Sequence, residues 1–347
     1  MKKSIYVAAA VLALAACTKE SPQLPAVDNT PRVEVDFCIE GTGTRVTNVD
    51  PANEVAVNYI QIFSFNADGT HDAHSERKDI AAVGQRTVTL ACAYGPKRVY
   101  ALVNAPAITA DLSEQQFLNT SSNLTNNTYS AFVMVGLTNI NVDDSTRKSQ
   151  VVITVKRLVA KVVIQKITRN FEGDFDSFRL EGLSLKHVAG NTNYGLTATP
   201  TVWYNDIQNH RVNTTGNGSN HTYDRTDAAV VNMISNYGIG ASLANGAVYD
   251  TEHAFYCYPN DNILKYTLLT VEVNYDVNTG TTWRPTITTY QRYYPIQIPV
   301  EIEANKVYTI TNLILNRIGG EKDDADEIIF EVEVADWEVG LEWEVEY

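Results

Sequence analysis

Apolar and polar residues alternate along short stretches of this chain, and the alternation is strictest near its two ends. Residues 337–347 (WEVGLEWEVEY) have an apolar side chain at every odd position and Glu or Gly at every even position. Residues 33–39 (VEVDFCI) alternate in the same way. Because a period of two places successive side chains on opposite faces of a β-strand, both segments are predicted strands with one apolar face.

The rest of the chain also favours strands. Runs rich in Val, Ile, Thr, Tyr and Phe are separated by clusters of Gly, Asn, Asp and Pro, and residues 66–69 (NADG) are a hairpin turn signal. Helical signals are limited to residues 113–118, which open with a candidate Ser cap, and residues 226–235. The pattern predicts an all-β protein of β-sandwich architecture with few short helices. The further predicted strands are 59–65, 87–90, 99–103, 151–155, 159–167, 267–275 and 307–315.

The start of the chain has the features of a bacterial export signal. Lys2 and Lys3 precede an apolar run that is too short for a permanent membrane span, and the run ends in Leu-Ala-Ala-Cys17. This lipobox predicts cleavage before Cys17, whose lipids would hold the mature N-terminus in a membrane. Residues 18–32 are polar and contain Pro, as expected of a tether.

Charge and cysteine content exclude some classes of function for this chain. The chain has 27 basic and 41 acidic residues, a net charge of −14, which argues against nucleic acid as a partner. Beyond Cys17, the cysteines Cys38, Cys92 and Cys257 are odd in number and match no zinc or redox spacing. We expect them mostly as buried free thiols, although a pairing of Cys92 with Cys257 stays open.

No residue set supports catalysis. The chain lacks G-x-S-x-G, P-loop and G-x-G-x-x-G motifs. His71 and His74 form an H-x-x-H pair, but we expect a solvated loop there rather than a metal site. The sequence therefore predicts neither an enzyme nor a cofactor.

Several aromatic residues could either form a platform that stacks against sugars or pack in the protein core. The candidates are Trp203, Tyr204, Tyr290, Tyr293 and Tyr294. Because aromatic side chains are also common strand formers and core fillers, we favour packing.

An Arg in a Gly/Thr loop directly after the first strand carries the functional hypothesis. Residues 41–45 (GTGTR) are a candidate protease site, because exposed flexible loops are where folded proteins are cut. Cleavage between Arg45 and Val46 would release a strand and leave an unpaired sheet edge beside an apolar groove. The apolar face of that strand consists of Val33, Val35, Phe37 and Ile39.

The C-terminal strand of another copy has the period needed to fill such a groove. Burial of six apolar side chains would contribute on the order of 10 kcal/mol before entropy. Those side chains are Trp337, Val339, Leu341, Trp343, Val345 and Tyr347.

At this point the chain resembles the fimbrillin family of Bacteroidales, type V pilus subunits of the FimA kind. The resemblance implies two transthyretin-like β-sandwich domains in tandem, export as a lipoprotein, removal of the first strand by an arginine-specific protease, and polymerisation by donor-strand exchange. It rests on the lipobox ending at Cys17, GTGTR to Arg45, YIQIFSFNADG (59–69), VYALVNA (99–105), RLVAKV (157–162) and DWEV from Asp336.

The predicted organisation follows from these parts. After the signal (1–17) and tether (18–32), an N-terminal sandwich spans 33–148, of which 33–45 is removable. A C-terminal sandwich spans 149–347 and ends in a donor tail from about residue 328. The expected partners are other copies, other fimbrial subunits, the protease, the outer membrane through the lipid, and a host or bacterial surface ligand. The predicted role is a fimbrial stalk subunit. A tip or accessory adhesin and an uncleaved glycan-binding surface lipoprotein are the alternatives.

Overall fold

Strands make up most of the chain in the computed structural model, which describes residues 30–41, 54, 56–81, 86–147, 149–205, 228–262, 264, 266–298, 301–321, 335–336 and 344–346. Two short helices accompany them, α1 (Glu114–Leu118) and α2 (Ala228–Ile234). The strands are β1 (Arg32–Gly41), β2 (Tyr59–Asn66), β3 (His71–His74), β4 (Lys78–Asp79), β5 (Thr87–Ala93), β6 (Gly95–Val103), β7 (Ser121–Asn123), β8 (Met134–Val142), β9 (Gln150–Arg157), β10 (Ala160–Ile164), β11 (Ile167–Arg169), β12 (Ser177–Lys186), β13 (Val188–Ala189), β14 (Asn191–Asn193), β15 (Trp203–Tyr204), β16 (Ser235–Ser242), β17 (Val248–Tyr249), β18 (His253–Cys257), β19 (Leu268–Asn278), β20 (Ile287–Gln297), β21 (Lys306–Ile310), β22 (Asn312–Leu315), β23 (Ala335–Asp336) and β24 (Glu344–Glu346).

The predicted all-β class is confirmed, and each predicted strand up to residue 315 is present. Two of them are divided, since 159–167 contains β10 and the start of β11, and 307–315 contains β21 and β22. The longer strands that were not predicted are β8, β12, β16, β18 and β20. Helix α1 has the expected cap, because the Ser113 hydroxyl accepts a hydrogen bond from the Gln116 backbone N–H and the Gln116 side-chain oxygen accepts one from the Ser113 backbone N–H.

Eight strands form the N-terminal sheet, in the order β3-β2-β6-β8-β9-β1-β5 with β4 also paired to β2. Its two ends approach each other at Asp72 of β3. The Asp72 carboxylate accepts hydrogen bonds from the Ala93 backbone on β5 (3.2 Å) and the Arg32 guanidinium on β1 (3.3 Å). The sheet therefore curls around an enclosed core. This inner core consists of Val33, Val35, Phe37, Ile39, Val57, Ile60, Ile62, Val88, Leu90, Cys92, Val99, Ala101, Val103, Met134, Val142, Ile153 and Val155.

Three four-stranded sheets form the C-terminal part, in the orders β18-β10-β21-β23, β17-β11-β22-β24 and β16-β12-β19-β20. Their apolar faces share one core with the outer face of the N-terminal sheet. Phe63 and Phe65 of β2 contribute to that core and pack against Phe117 of α1 with ring centroids 4.8 and 5.8 Å apart. Alternate residues of β2 thus serve two different cores.

The change from N-terminal to C-terminal sheets follows Arg157. Strand β9 lies between β8 and β1, so the N-terminal sheet continues past the predicted boundary at residues 148 and 149. Strand β10 begins at Ala160 and belongs to a C-terminal sheet. Contacts between residues join 32–347 into one compact unit.

A buried ion pair ties residue 54 to this junction. The Lys161 ammonium on β10 donates to the Glu54 carboxylate at 2.5 Å, and the Tyr256 hydroxyl donates to the same oxygen at 2.6 Å. Arg157 donates to the Glu54 backbone carbonyl through two nitrogens, at 3.0 and 3.2 Å. Arg157 and Lys161 are each 1 % exposed. Burial raises the pKa of Tyr256, which keeps its hydroxyl a donor.

Neither helix of the described residues has the length and apolar character to cross a bilayer.

We predict that Glu54→Gln destabilises the folded chain by about 3 to 5 kcal/mol, because it leaves the Lys161 charge buried without its carboxylate. Chemical denaturation measures this change. The matched control is Asp79→Asn, which removes a carboxylate that is 80 % exposed and lies 3.7 Å from Arg77. The control should stay within about 0.5 kcal/mol of the unmodified protein. Equal effects of the two substitutions would contradict the prediction.

Candidate functional site

Strand β1 lies inside the N-terminal sheet with a partner on each side. It pairs antiparallel with β5, from Arg32 opposite Ala93 to Cys38 opposite Thr87. It pairs parallel with β9, from Asp36 beside Gln150 to Gly41 beside Val155. Withdrawing β1 would therefore leave β5 and β9 each unpaired on the side that β1 occupied and open a slot between them.

The alternation seen in the sequence is the inside-and-outside alternation of β1. Val33, Val35 and Phe37 are fully buried in the inner core, and Ile39 is 1 % exposed. The other face points outward, with Glu34 and Glu40 exposed. Full burial of four such side chains contributes about 6 to 12 kcal/mol gross, at roughly 1.5 to 3 kcal/mol each.

Polar contacts hold the start of β1. The Arg32 guanidinium donates to the Asp72 backbone carbonyl (3.2 Å) and the Ala91 carbonyl (3.1 Å), in addition to the Asp72 carboxylate. The Lys97 ammonium lies 3.6 Å from the same carboxylate. Because Lys97 lies on β6, Asp72 would keep this buried cationic neighbour if β1 were removed.

Cys92 of β5 lies opposite Val33 and is buried in the inner core. Burial raises the pKa of the Cys92 thiol to about 11. Cys257 is buried in the other core, and burial raises the pKa of its thiol to about 12. Cys38, Cys92 and Cys257 are free thiols. Cys92 and Cys257 are therefore unreactive while their cores stay closed, whereas Cys38 is only half-buried.

The end of the chain contributes two short strands at sheet edges. In β23, Ala335 and Asp336 pair antiparallel with Val307 and Lys306 of β21. In β24, Glu344–Glu346 pairs parallel with β22, and Val345 lies beside Leu313. The other predicted donor residues, Trp337, Val339, Leu341, Trp343 and Tyr347, lie outside the described residues, as do Cys17, Arg45 and Val46.

Comparison with known proteins finds likeness at the level of structure. No family model matches the sequence, and no curated protein matches it. A proposed cell adhesion protein of Parabacteroides distasonis superposes with a TM-score of 0.61 at 13 % identity, over 90 % of this chain and 98 % of that one. A proposed cell adhesion protein of Bacteroides eggerthii gives 0.59 at 17 % identity, over 88 % and 94 %. A fimbrillin (FimA) of Porphyromonas gingivalis gives 0.53 at 11 % identity, over 89 % and 98 %.

The protein has the fold of the fimbrillins. The match spans nearly all of each chain, so it covers both the N-terminal and the C-terminal sheets. The two β-sandwich parts that the resemblance implied are therefore confirmed.

The aromatic candidates for sugar stacking do not form one exposed platform in this fimbrillin fold. Tyr293 is 1 % exposed, and Tyr294 is fully buried with its hydroxyl donating to the Arg317 carbonyl at 2.8 Å. Tyr290 stacks on Tyr275 with centroids 5.2 Å apart. The favoured packing role holds for these residues. Sequence reasoning missed Trp283, which is 94 % exposed near the β19–β20 turn.

The histidine pair lies on a strand, so the expected solvated loop was wrong. His71 and His74 are the first and last residues of β3, and both rings are partly buried. Asp111, which precedes α1, lies beside them and was not named from the sequence. No local signal in the sequence joins Asp111 to a histidine pair so far away along the chain.

We predict that Phe37→Ala destabilises the protein by about 3 to 5 kcal/mol, because it leaves a cavity in the inner core. The matched control is Glu34→Ala on the outward face of the same strand, which should change stability by no more than about 0.5 kcal/mol. Denaturant unfolding of both variants measures the difference. If the two variants were equally stable, β1 would not bury one face in solution.

Proposed function

We propose that this protein is a structural subunit of a cell-surface fimbrium that polymerises by protease-triggered donor-strand exchange. It is exported as a lipoprotein, with Cys17 carrying the lipid at the outer membrane. An arginine-specific protease cuts between Arg45 and Val46, and β1 leaves. The C-terminal strand of another subunit then takes its place. The role is structural rather than catalytic, and the partners are copies of this chain and other fimbrial subunits.

The geometry of β1 carries this proposal. Strand β1 lies between β5 and β9 and buries every inward side chain. Its removal would therefore leave a vacant slot inside the sheet, whereas removal of an edge strand would only shorten the sheet by one strand. The fimbrillin fold of the chain agrees with such a subunit.

Glu54 makes the predicted cut effective. Residue 54 is held at the junction by Lys161 and Arg157. The proposed cut at Arg45 lies between β1 and this fixed point, so it separates β1 from the body without disturbing the Glu54 contacts. After the cut, only hydrogen bonds and side-chain burial retain β1.

The replacement strand must match the period of β1. The predicted donor has apolar side chains at Trp337, Val339, Leu341, Trp343, Val345 and Tyr347. A shift of one residue would turn this apolar face to solvent, so the alternation fixes the register to even steps. The two Trp side chains are larger than the Val residues of β1, and their extra apolar area favours the exchanged state.

Backbone pairing leaves the direction of the donor open. Because β1 is antiparallel to β5 and parallel to β9, a donor entering either way forms one pairing of each kind. Side chains must therefore select the direction. The buried Asp72 and Lys97 pair at one end of the slot is the polar feature available for that selection.

The predicted donor segment would lose few backbone pairings on leaving its own chain. Within the chain, Ala335–Asp336 and Glu344–Glu346 occupy sheet edges in strands of two and three residues. A full-length strand in the slot of another subunit gains two neighbours instead of one. A site for cleavage and a segment for donation on the same chain favour a stalk subunit over a tip subunit.

We predict that Arg45→Ala, and separately a chain ending at Asp336, each abolish ladders that resist mild SDS, because one blocks release of β1 and the other removes the donor. Gel electrophoresis of surface protein measures the ladders, and N-terminal sequencing of the unmodified surface form should begin at Val46.

The matched control is Arg147→Ala, which removes an arginine whose side chain is 57 % exposed outside the predicted site. This variant should be processed and assemble normally. Ladders from either the Arg45→Ala or the truncated chain would contradict donor-strand exchange. Cleavage followed by immunogold labelling at fibre ends alone would instead indicate a tip or accessory adhesin.

Cys92 provides a direct reporter of the slot. We predict that a thiol reagent leaves Cys92 unmodified in the uncut chain, modifies it after β1 is released, and again leaves it unmodified in the fimbrium. The reason is that Cys92 lies in the inner core on β5, directly opposite Val33 of β1. Mass spectrometry of peptides after labelling measures the modification.

Cys257 is the internal control, because it is buried in the other core and should stay protected in all three states. Protection of Cys92 in the cut monomer would show that β1 stays in place. Modification of Cys92 in the fimbrium would show that no strand refills the slot.

A further inference from the structure

A β-bulge in β3 brings two histidines onto one face of the sheet. His74 lies opposite Phe63, Ala73 opposite Ser64, and His71 opposite Phe65. Asp72 is the extra residue, and it shifts the alternation by one. Residues three apart on a regular strand point to opposite faces, whereas here both histidines join the face of Phe63 and Phe65.

Asp72, the extra residue of the bulge, also fixes β3 through hydrogen bonds on the inward face of the sheet. The Asp72 carboxylate points inward, where it accepts hydrogen bonds from the Ser64 hydroxyl (2.9 Å) and the Ala93 backbone (3.2 Å). The outward rings are supported as well, since His74 stacks on Phe63 with centroids 5.8 Å apart. The two imidazoles are thus held in place by structure on both faces of the sheet.

Asp111 supplies a carboxylate at the same point. Its Oδ1 lies 3.5 Å from Nε2 of His71 and 3.4 Å from Nδ1 of His74. Those two ring nitrogens are 3.1 Å apart. The Asp111 side chain is 75 % exposed, so one side of the group is open to solvent.

These separations match those of ligands around a small tetrahedral ion. With bonds of about 2.0 to 2.1 Å, ligand atoms on a tetrahedral Zn²⁺ lie about 3.3 to 3.4 Å apart. A point at that bond length from all three donors exists, because a circle through the three atoms has a radius of about 1.9 Å. Two imidazoles and one carboxylate are a familiar donor set for divalent transition metals.

We propose that His71, His74 and Asp111 bind a divalent transition-metal ion, for which Zn²⁺ is the expected occupant. Water completes the coordination on the exposed side. The ion joins β3 to the chain segment that leads into α1, since Asp111 lies just before the Ser113 cap. It thereby fixes the bulge whose central residue, Asp72, holds Arg32 of β1.

The test uses the full chain prepared without a histidine tag. Calorimetric titration with Zn²⁺ should give one ion per chain, and Co²⁺ should give the strong visible absorption of a tetrahedral site. His71→Ala and His74→Ala should each weaken Zn²⁺ binding by at least about 10-fold, because each removes a ligand. Asp111→Asn should weaken it as well and leaves folding intact, since that side chain is largely exposed.

The matched control is His253→Ala, which removes another partly buried histidine, stacked on Tyr249. It should leave the Zn²⁺ affinity unchanged. As a second readout, Zn²⁺ should raise the Tm of the unmodified chain and of His253→Ala but not that of the three site variants. Absence of Zn²⁺ binding by the unmodified chain, or equal affinity after His71→Ala and His74→Ala, would overturn the proposal.

Discussion

The burial of one face of β1 inside a sheet that curls on itself is the constraint on which the rest of the structure depends. Val33, Val35, Phe37 and Ile39 occupy the inner core, and the partners on either side use β1 to complete their hydrogen bonds. The N-terminal sheet cannot lose this strand and stay closed. A protein that discards β1 must therefore accept an equivalent strand from elsewhere.

Two buried polar groups position this arrangement from opposite sides. Asp72 joins the ends of the sheet and holds Arg32, while Glu54 is fixed to Lys161 and Arg157 at the junction with the C-terminal sheets. Each carboxylate is expensive to bury without its cations, so each specifies one geometry. Along the chain, the segment in which cleavage is proposed lies between Arg32, which Asp72 holds, and Glu54. The fold thus gives β1 and the residues after Glu54 separate points of attachment.

The strands could be predicted well because residue composition and alternation are both local properties. Residues 59–65 and 99–103 have side chains that pack on both faces, and their β-branched and aromatic content indicates strands without knowledge of partners. Strand β12 escaped prediction because Gly182 interrupts it at a bulge, where an added Cβ would lie 2.6 Å from the Tyr237 ring. The histidine pair was misjudged as a loop because β3 is a four-residue strand whose pairing with β2 leaves no local signal in the sequence.

The sequence by itself determined the all-β class and the strand β1 with its one apolar face, since the hydrophobic period is written residue by residue. Only the tertiary structure decided that β1 lies between β5 and β9 rather than at an edge. It also brought Asp111 to His71 and His74, and Glu54 to Lys161. These contacts depend on strand order and on bulges. Both are set by the packing of segments far apart in the chain and leave no periodic signal in the sequence.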